Sequence, residues 1–438
     1  MVSLRLSCRP EQLPMTLFFN LNALKVKNIR LIVWITACLL SVQCLWAQPA
    51  VSSDSIVKHF LMDSGVKVTE GNQVKLLKSG KDKFADLFEE VRRARHHVHL
   101  EYFNFRNDSI ANALFALLAE KVKEGVEVRA LFDDFGNMSN NQPLKNSHLR
   151  KLRRLGIQIY AFDPIRFPYV NHVLKRDHRK IVVIDGRVAY MGGMNVADYY
   201  INGTEVVGKW RDMHMRVEGP AVAELQLIFM DMWKQVTHED LVAQAAYFPQ
   251  PEAVTDSVEM AIVDRYPGRT PKSIRRAYVA SIDAAQRKIQ LINPYFVPTH
   301  SIKKALKDAI DRGIDVEIMI SAKSDIPFTP DASTYFAYQL AKRGARVYLY
   351  NGGFHHSKIM MVDDIFCTLG SANLNSRSLR YDYEVNAFMF NRDVTDELIR
   401  MFEDDKLSST LLTREVWMRR TPWKRFVGWF ANLFAPFL

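Results

Sequence analysis

One short pattern occurs twice in this chain and constrains its fold more than any other feature. His178-Arg179-Lys180 is followed by four apolar residues and Asp185. His356-Ser357-Lys358 is followed by Ile359, Met360, Met361 and Val362, then Asp363. The copies lie 178 positions apart, and the same offset relates Gly192 to Gly370 and Asn195 to Asn373. A reactive constellation repeated once per half implies an internal duplication with one site built from both halves. It points to chemistry on a phosphodiester.

The surrounding pattern repeats as well. In the first half, Phe84, Leu87, Phe88 and Val91 fall at helical spacing, and His97 to Phe105 reads as a strand. Ser109 can cap a helix running through Glu120. After Gly125, Val126 to Phe132 reads as a strand, and after Gly156, Ile157 to Phe162 reads as another. The second half gives a helix over Ile274 to Ala285 and a strand over Lys288 to Phe296. A helix capped by Ser301 ends at Gly313, and the strands Ile314 to Ile320 and Ala345 to Tyr350 follow. Repeated strand–helix units predict an α/β fold of two similar domains, with helices covering a largely buried sheet. The expected boundaries are 48–248 and 249–405, joined near Phe248-Pro249-Gln250-Pro251, with a tail over 406–438. At 438 residues the chain exceeds what one compact core usually holds.

Residues two apart on a strand face the same way, so His178 and Lys180 project together, as do His356 and Lys358. A phosphodiester resists attack because it is an anion. It needs a nucleophile, an acid for the leaving oxygen, and positive charge against its non-bridging oxygens. Two histidines supply the first two roles and two lysines the third. Asn195 and Asn373 can add hydrogen bonds. Gly192, Gly193, Gly370 and Ser371 would let backbone approach the phosphate closely, as substrate-binding positions. Asp185 and Asp363 complete the catalytic pattern, although each also sits where a hairpin turn would use its carboxylate on backbone groups. No metal or other cofactor is required. His96, His97 and His99 read as strand residues rather than metal ligands.

The formal charge is +11. Arg5, Arg9, Lys25, Lys27 and Arg30 against Glu11 give residues 1–47 a net +4, which leaves +7 for the rest. That balance suits an anionic partner, lipid headgroup or nucleic acid, and equally a solvated basic surface. Lys25, Lys27 and Arg30 precede an apolar run from Leu31 to Leu40, the order of a secretory signal or an N-terminal membrane anchor. Either would put the remaining chain on the outer side of a bacterial inner membrane. Cys8, Cys38 and Cys44 lie in that segment, so Cys367 stands alone in the body and no disulfide framework is expected. At the other end Trp417, Arg419, Arg420, Trp423, Lys424 and Arg425 lead into Phe426, Val427, Trp429, Phe430, Leu433, Phe434, Phe437 and Leu438. Basic residues interleaved with aromatics suit a membrane interface.

The paired His-x-Lys-x4-Asp pattern resembles the signature of the phospholipase D superfamily. Three segments, Arg179–Asn195, Trp210–Val222 and Leu369–Asn386, look like bacterial cardiolipin synthases. The resemblance implies two phospholipase D-type α/β/α sandwich domains sharing an active site at their interface. It also implies transfer of a phosphatidyl group from one phosphatidylglycerol to another through a phosphohistidine, releasing glycerol. By motif match it gives the histidines carboxylate partners, Asp212 and Glu384, with His214 in a supporting position. The alternative it leaves open is hydrolysis by a phospholipase D-type phosphodiesterase; a nuclease is less favoured. The implied partners are phosphatidylglycerol and a membrane surface, with no nucleic acid and no obligate protein partner. Asp177, Asp382 and His355 depart from the family pattern, and the two aspartates are expected to place negative charge near the phosphate.

Overall fold

The computed structural model describes residues 51–167, 174–241, 245–250 and 257–433. The expected signal or anchor, its three cysteines and the last five residues lie outside these. Contacts join the chain after Val51 into one body.

The strands of the first half are β1 (Val68–Leu77), β2 (His97–Tyr102), β3 (Glu127–Asp133), β4 (Gln158–Phe162), β5 (Lys180–Ile184), β6 (Val188–Gly192), β7 (Trp210–Arg211) and β8 (His214–Glu218). Those of the second are β9 (Val258–Arg265), β10 (Lys288–Ile292), β11 (Asp315–Ser321), β12 (Arg346–Tyr350), β13 (Phe354–His355), β14 (Ile359–Val362), β15 (Phe366–Gly370), β16 (Glu384–Phe390) and β17 (Ser409–Leu411). Within each half, β2-β3-β4 and β10-β11-β12 run parallel through helical crossovers, as the alternating pattern predicts. The motif strands β5 and β14 enter antiparallel beside them.

The two duplicated halves are joined edge to edge. β1 pairs antiparallel with β9, which fuses both sets into a single 15-stranded sheet, in the order β17-β12-β11-β10-β14-β15-β16-β9-β1-β8-β6-β5-β2-β3-β4. The register shifts between Thr69 and Asn72, where Gly71 has φ +77°. The buried Asn72 amide fills this irregularity. It donates to Thr69 O and Val258 O, both at 3.0 Å, and accepts from Ala221 N at 2.7 Å. The seam therefore leaves few backbone groups unmet.

Helices Gly80–Arg93 and Ser109–Lys123 cover one face of the first half; Ser273–Ala284, His300–Asp311 and Thr329–Ala341 do so in the second. On the other face, Ile181, Val183, Met191 and Met215 share a core with Ile359, Met361, Leu369 and Val385. That common core sits beneath both motif strands and holds them as one rigid platform.

Two expectations change, and one element is added. Asp108, not Ser109, caps its helix, accepting from Ala111 N at 3.3 Å. Residues 53–63, which carry little periodicity, form a helix, and its Val57 and Leu61 join the core of the second half. The tail begins inside the sheet, since β17 pairs with β12. Among the described residues no helix is long and apolar enough to cross a membrane.

Candidate active site

Each motif histidine sits just before its strand, in an extended segment pinned to the opposite half. Tyr383 N donates to Arg176 O at 2.8 Å, and His178 N to Tyr383 O at 3.0 Å. At the pseudo-symmetric position β13 pairs with β7. There Phe354 N donates to Lys209 O at 2.8 Å and His356 N to Arg211 O at 2.7 Å. These bridges deliver a carboxylate across the interface. His178 Nδ1 lies 3.0 Å from Glu384 Oε1, and His356 Nδ1 lies 2.6 Å from Asp212 Oδ2. Both acids are fully buried.

A carboxylate on Nδ1 fixes the tautomer and leaves Nε2 as the reactive nitrogen. Burial opposes the charge on Glu384, but His178 and Lys180 outweigh it and hold the carboxyl below its ordinary value. For Asp212, Lys358 and then His356 do the same. Burial, then Lys180, pulls His178 down to about 4, against Glu384. Burial is also the main cause that brings Lys180 to about 7 and Lys358 to about 8, with the buried acids opposing. Lys358 acts on both His178 and Lys180, so groups from the two halves share one electrostatic field.

Each lysine donates to the carbonyl of its own histidine, Lys180 Nζ to His178 O at 2.6 Å and Lys358 Nζ to His356 O; Lys358 Nζ in addition lies 2.9 and 3.1 Å from the two ring nitrogens of His356. Around His178 the wall is Phe103, 5.0 Å between ring centroids. Around His356 it is Phe354, Trp210 and Tyr295, at 5.2, 5.6 and 5.8 Å. Tyr295 donates its hydroxyl to Asp325 at 2.5 Å, and Asp325 acts electrostatically on His356 and Lys358. The loop Lys323-Ser324-Asp325 thus reaches the site. The Asn195 side chain makes long bonds, 3.4 Å each, with Asn104 N and the Tyr200 hydroxyl, and the buried Asn373 carboxamide oxygen has no partner among the described residues. Both amides therefore retain hydrogen-bonding capacity.

Other expected site residues are placed differently. Asp185 has φ +53° and accepts from the backbone of Arg95, His96 and His97 at 2.8–2.9 Å. Asp363, at φ +55°, accepts from Gln286, Arg287 and Lys288 at 2.7–2.9 Å. Both carboxylates stand at the far end of their strands and tie down the turn entering the neighbouring strand. They do not meet the histidines. The four small residues do not cradle a phosphate either. Gly193 N donates to Met213 O and Ser371 N to Val385 O, both at 2.9 Å, so these amides are spent in the sheet. A Cβ on Gly193 would lie 2.3 Å from Asp212 Oδ1, one on Gly370 2.4 Å from Asn386 Oδ1, and one on Gly192 2.7 Å from His214 Nδ1. Their smallness makes room for the residues behind the histidines. The Ser371 hydroxyl donates to Glu384 Oε2 at 2.5 Å.

The departures from the family pattern also find partners. Asp177 accepts from Arg179 N at 3.2 Å, and burial raises its pKa. Burial, then Asp177, pushes the neighbouring Glu101 well up, and Arg179 bonds Glu101 at 3.3 Å. This carboxyl pair is thus balanced by Arg179 rather than turned on a phosphate. Asp382 accepts from Arg176 N and Arg377 Nε, both at 3.1 Å. His355 Nε2 lies 3.0 Å from Asp405. His214 Nδ1 accepts from Met194 N at 3.4 Å, the role Asn386 fills for Ala372 in the other half. His97 and His99 share Gln226, and His99 stacks on Phe229 at 4.5 Å. Among the described residues no group of three or more His, Cys, Asp or Glu is arranged to hold a metal ion.

Sequence reasoning missed Lys83, which is buried and donates to Met194 O and Asn195 O at 3.1 and 3.0 Å. A lysine beside Phe84 on an apolar helix face is its only signal. It also missed Tyr295, which follows β10 in the Asn-Pro-Tyr-Phe segment; comparison with Phe103-Asn104-Phe105 after β2 could have drawn attention to it.

Residues 87–233 and 278–406 match the family described as "Cardiolipin synthase, PLD-like domain". The cardiolipin synthase of Oceanobacillus iheyensis is 36% identical over 385 residues, covering 88% of this chain and 79% of that protein. The major cardiolipin synthase ClsA of Bacillus subtilis is 35% identical over 385 residues, covering 87% and 79%. Among solved structures, the phosphatidylserine synthase of Haemophilus influenzae shares the fold, with a TM-score of 0.61 at 15% identity over 84% of this chain and 95% of that one. The matched segments each carry one motif histidine, one motif lysine and the carboxylate serving the opposite motif histidine, and on these grounds the chain belongs to the bacterial cardiolipin synthase family of the phospholipase D superfamily.

Proposed function

We infer that this enzyme transfers a phosphatidyl group between two phosphatidylglycerol molecules, releasing glycerol. The observation that carries the reading is the crossed pairing of His178 with Glu384 and His356 with Asp212. One histidine attacks phosphorus through Nε2, and the bond from phosphorus to the glycerol oxygen breaks. The second histidine gives its proton to that oxygen. It then takes a proton from the glycerol hydroxyl of the second lipid, whose oxygen attacks phosphorus and breaks the phosphorus–nitrogen bond. Lys180 and Lys358 offset the negative charge on the non-bridging oxygens, to which the side-chain NH2 groups of Asn195 and Asn373 would donate.

The same intermediate would serve hydrolysis if water replaced the lipid hydroxyl. Purified enzyme given phosphatidylglycerol should yield cardiolipin and glycerol in equal amounts. Phosphatidic acid as the sole lipid product would replace this reading with the hydrolase.

The substrate lies in a bilayer, so the catalytic body works at a membrane surface, and the basic-then-apolar order of residues 25–40 favours its outer side. Protease added outside intact spheroplasts should cut the body; protection until lysis would reverse the orientation.

A further inference from the structure

The helix Pro422–Leu433 lies on the helix Thr329–Ala341 through its smallest residue. A Cβ on Gly428 would stand 2.6 Å from Asp331 O and 2.9 Å from Tyr335 Cβ. Just upstream, Arg420 pairs with Asp331, and Trp417 stacks on Tyr338 at 4.4 Å with planes 8° apart. The helix is therefore anchored by its small face. Its large residues point away from the body: Trp423 is 69% exposed, Phe426 47%, Trp429 47%, Phe430 45% and Leu433 55%. Phe426 lies 5.7 to 5.9 Å from the rings of Trp423, Trp429 and Phe430, so the patch is continuous. An apolar patch of this kind marks an interaction surface.

Next to it is a cavity of about 410 Å³ whose charged lining is all basic: Lys303, Lys307, Lys342 and Arg343. Asn432, from the aromatic helix itself, completes the wall. Arg343 is paired with Asp311 at 2.8 Å. Asp311 also acts on Lys307, whereas Lys303 and Lys342 lie over the Phe336 and Tyr338 rings, at 5.7 and 5.6 Å. Burial, then Lys307, disfavours the charge on Lys303, as expected where cations outnumber the carboxylates beside them.

We propose that this face docks on an anionic bilayer, with the aromatic helix in the interfacial layer and the lysine cavity holding the phosphate of one anionic phospholipid headgroup, apart from the catalytic cleft. The proposal rests on the membrane reading above and adds where contact is made and what is recognised. Charge selects the occupant. A neutral protein groove would satisfy the aromatics and leave the lysines unmatched, whereas an anionic lipid surface satisfies both. The placement suits turnover. The helix Thr329–Ala341 begins just after the loop bearing Asp325, and Ile326 and Phe328 in that loop are 47% and 66% exposed. Docking by this helix pair holds the His356 side of the cleft near lipid.

The test uses the full chain with phosphatidylcholine vesicles, alone or containing phosphatidic acid, and reads local protection rather than total binding, because residues 1–50 can insert independently. Hydrogen exchange over Pro422–Leu433 and amine labelling of Lys303, Lys307 and Lys342 should both fall with the anionic vesicles. Neutral vesicles should protect the lysines little. Each Lys→Gln change should weaken the anionic preference about fivefold, and Phe426→Ser with Trp429→Ser should remove helix protection. Equal labelling of the lysines with both vesicle types would overturn the proposal. So would equal protection by soluble glycerol phosphate without vesicles, which would make the cavity a site for free phosphate esters. None of these readouts needs turnover, so failure here is distinguishable from failure of the transferase reading.

Discussion

Asp212, from the first half of the chain, accepts a 2.6 Å hydrogen bond from His356 of the second, 144 positions away. Glu384 returns the relationship to His178. Neither half owns a complete histidine–carboxylate pair, so neither half alone holds a working site.

Removing either acid's charge should cost catalysis rather than binding. Asp212→Asn and Glu384→Gln should each lower kcat by about 10²- to 10⁴-fold, the usual worth of positioned acid–base chemistry, with KM little changed. Steady-state kinetics with circular dichroism as a folding control checks this. Full activity in Glu384→Gln would remove the carboxylate from the account.

The motif aspartates should behave as structural residues. Asp363→Ala strands three backbone N–H groups that now donate to it, and an unmet buried donor costs about 1–3 kcal/mol. Thermal unfolding should show a clear loss of stability, with kcat per folded molecule near that of the parent. Asp185→Ala should follow the same pattern. Loss of kcat at unchanged stability would restore the catalytic role.

Activity should fall on both sides of a mildly acidic window. The attacking imidazole must be neutral while the other histidine holds the proton for the leaving oxygen; with His178 attacking, it loses its proton as pH rises through about 4, and His356, whose pKa burial also lowers, is the proton donor. The lysines must be charged, and Lys180 and Lys358 lose their protons as pH rises through about 7 and about 8. The profile of kcat/KM should therefore climb near 4 and decline between 7 and 8. Lys180→Arg, which stays charged, should extend its alkaline side even at reduced maximal rate. An alkaline limb unmoved by that change would assign it to another group.

Tyr295 and Asp325 make the His356 side of the cleft polar where Phe103 makes the His178 side apolar. A carboxylate beside a phenol suits a lipid hydroxyl in the second step. Asp325→Ala should shift products from cardiolipin toward phosphatidic acid. An unchanged product ratio would remove the loop from acceptor recognition.

Much of this site was readable because strand alternation is local. His178 with Lys180, and His356 with Lys358, follow from a period of two. The crossing of the acids was not readable, because it depends on the pairing of Asp177 with Tyr383 and of His355 with Arg211, separated by 206 and 144 positions respectively. The glycines misled for a physical reason. A missing Cβ marks close approach without saying by what, and at Gly193 the neighbour is Asp212 rather than a phosphate. Asp177 and Asp382 misled likewise, because the guanidinium groups that offset them, those of Arg179 and Arg377, lie two and five positions away but their side-chain directions are set by the fold. Fusion of the halves through β1 and β9 left no trace beyond two ordinary strands.

The most direct test of a single composite site is the stoichiometry of the covalent intermediate. Enzyme mixed rapidly with phosphatidylglycerol labelled in its phosphatidyl phosphorus, quenched in alkali and digested, should carry one label per chain, on His178 or His356 but never on both. Two labels per chain, one on each histidine, would mean two independent sites and would contradict the account.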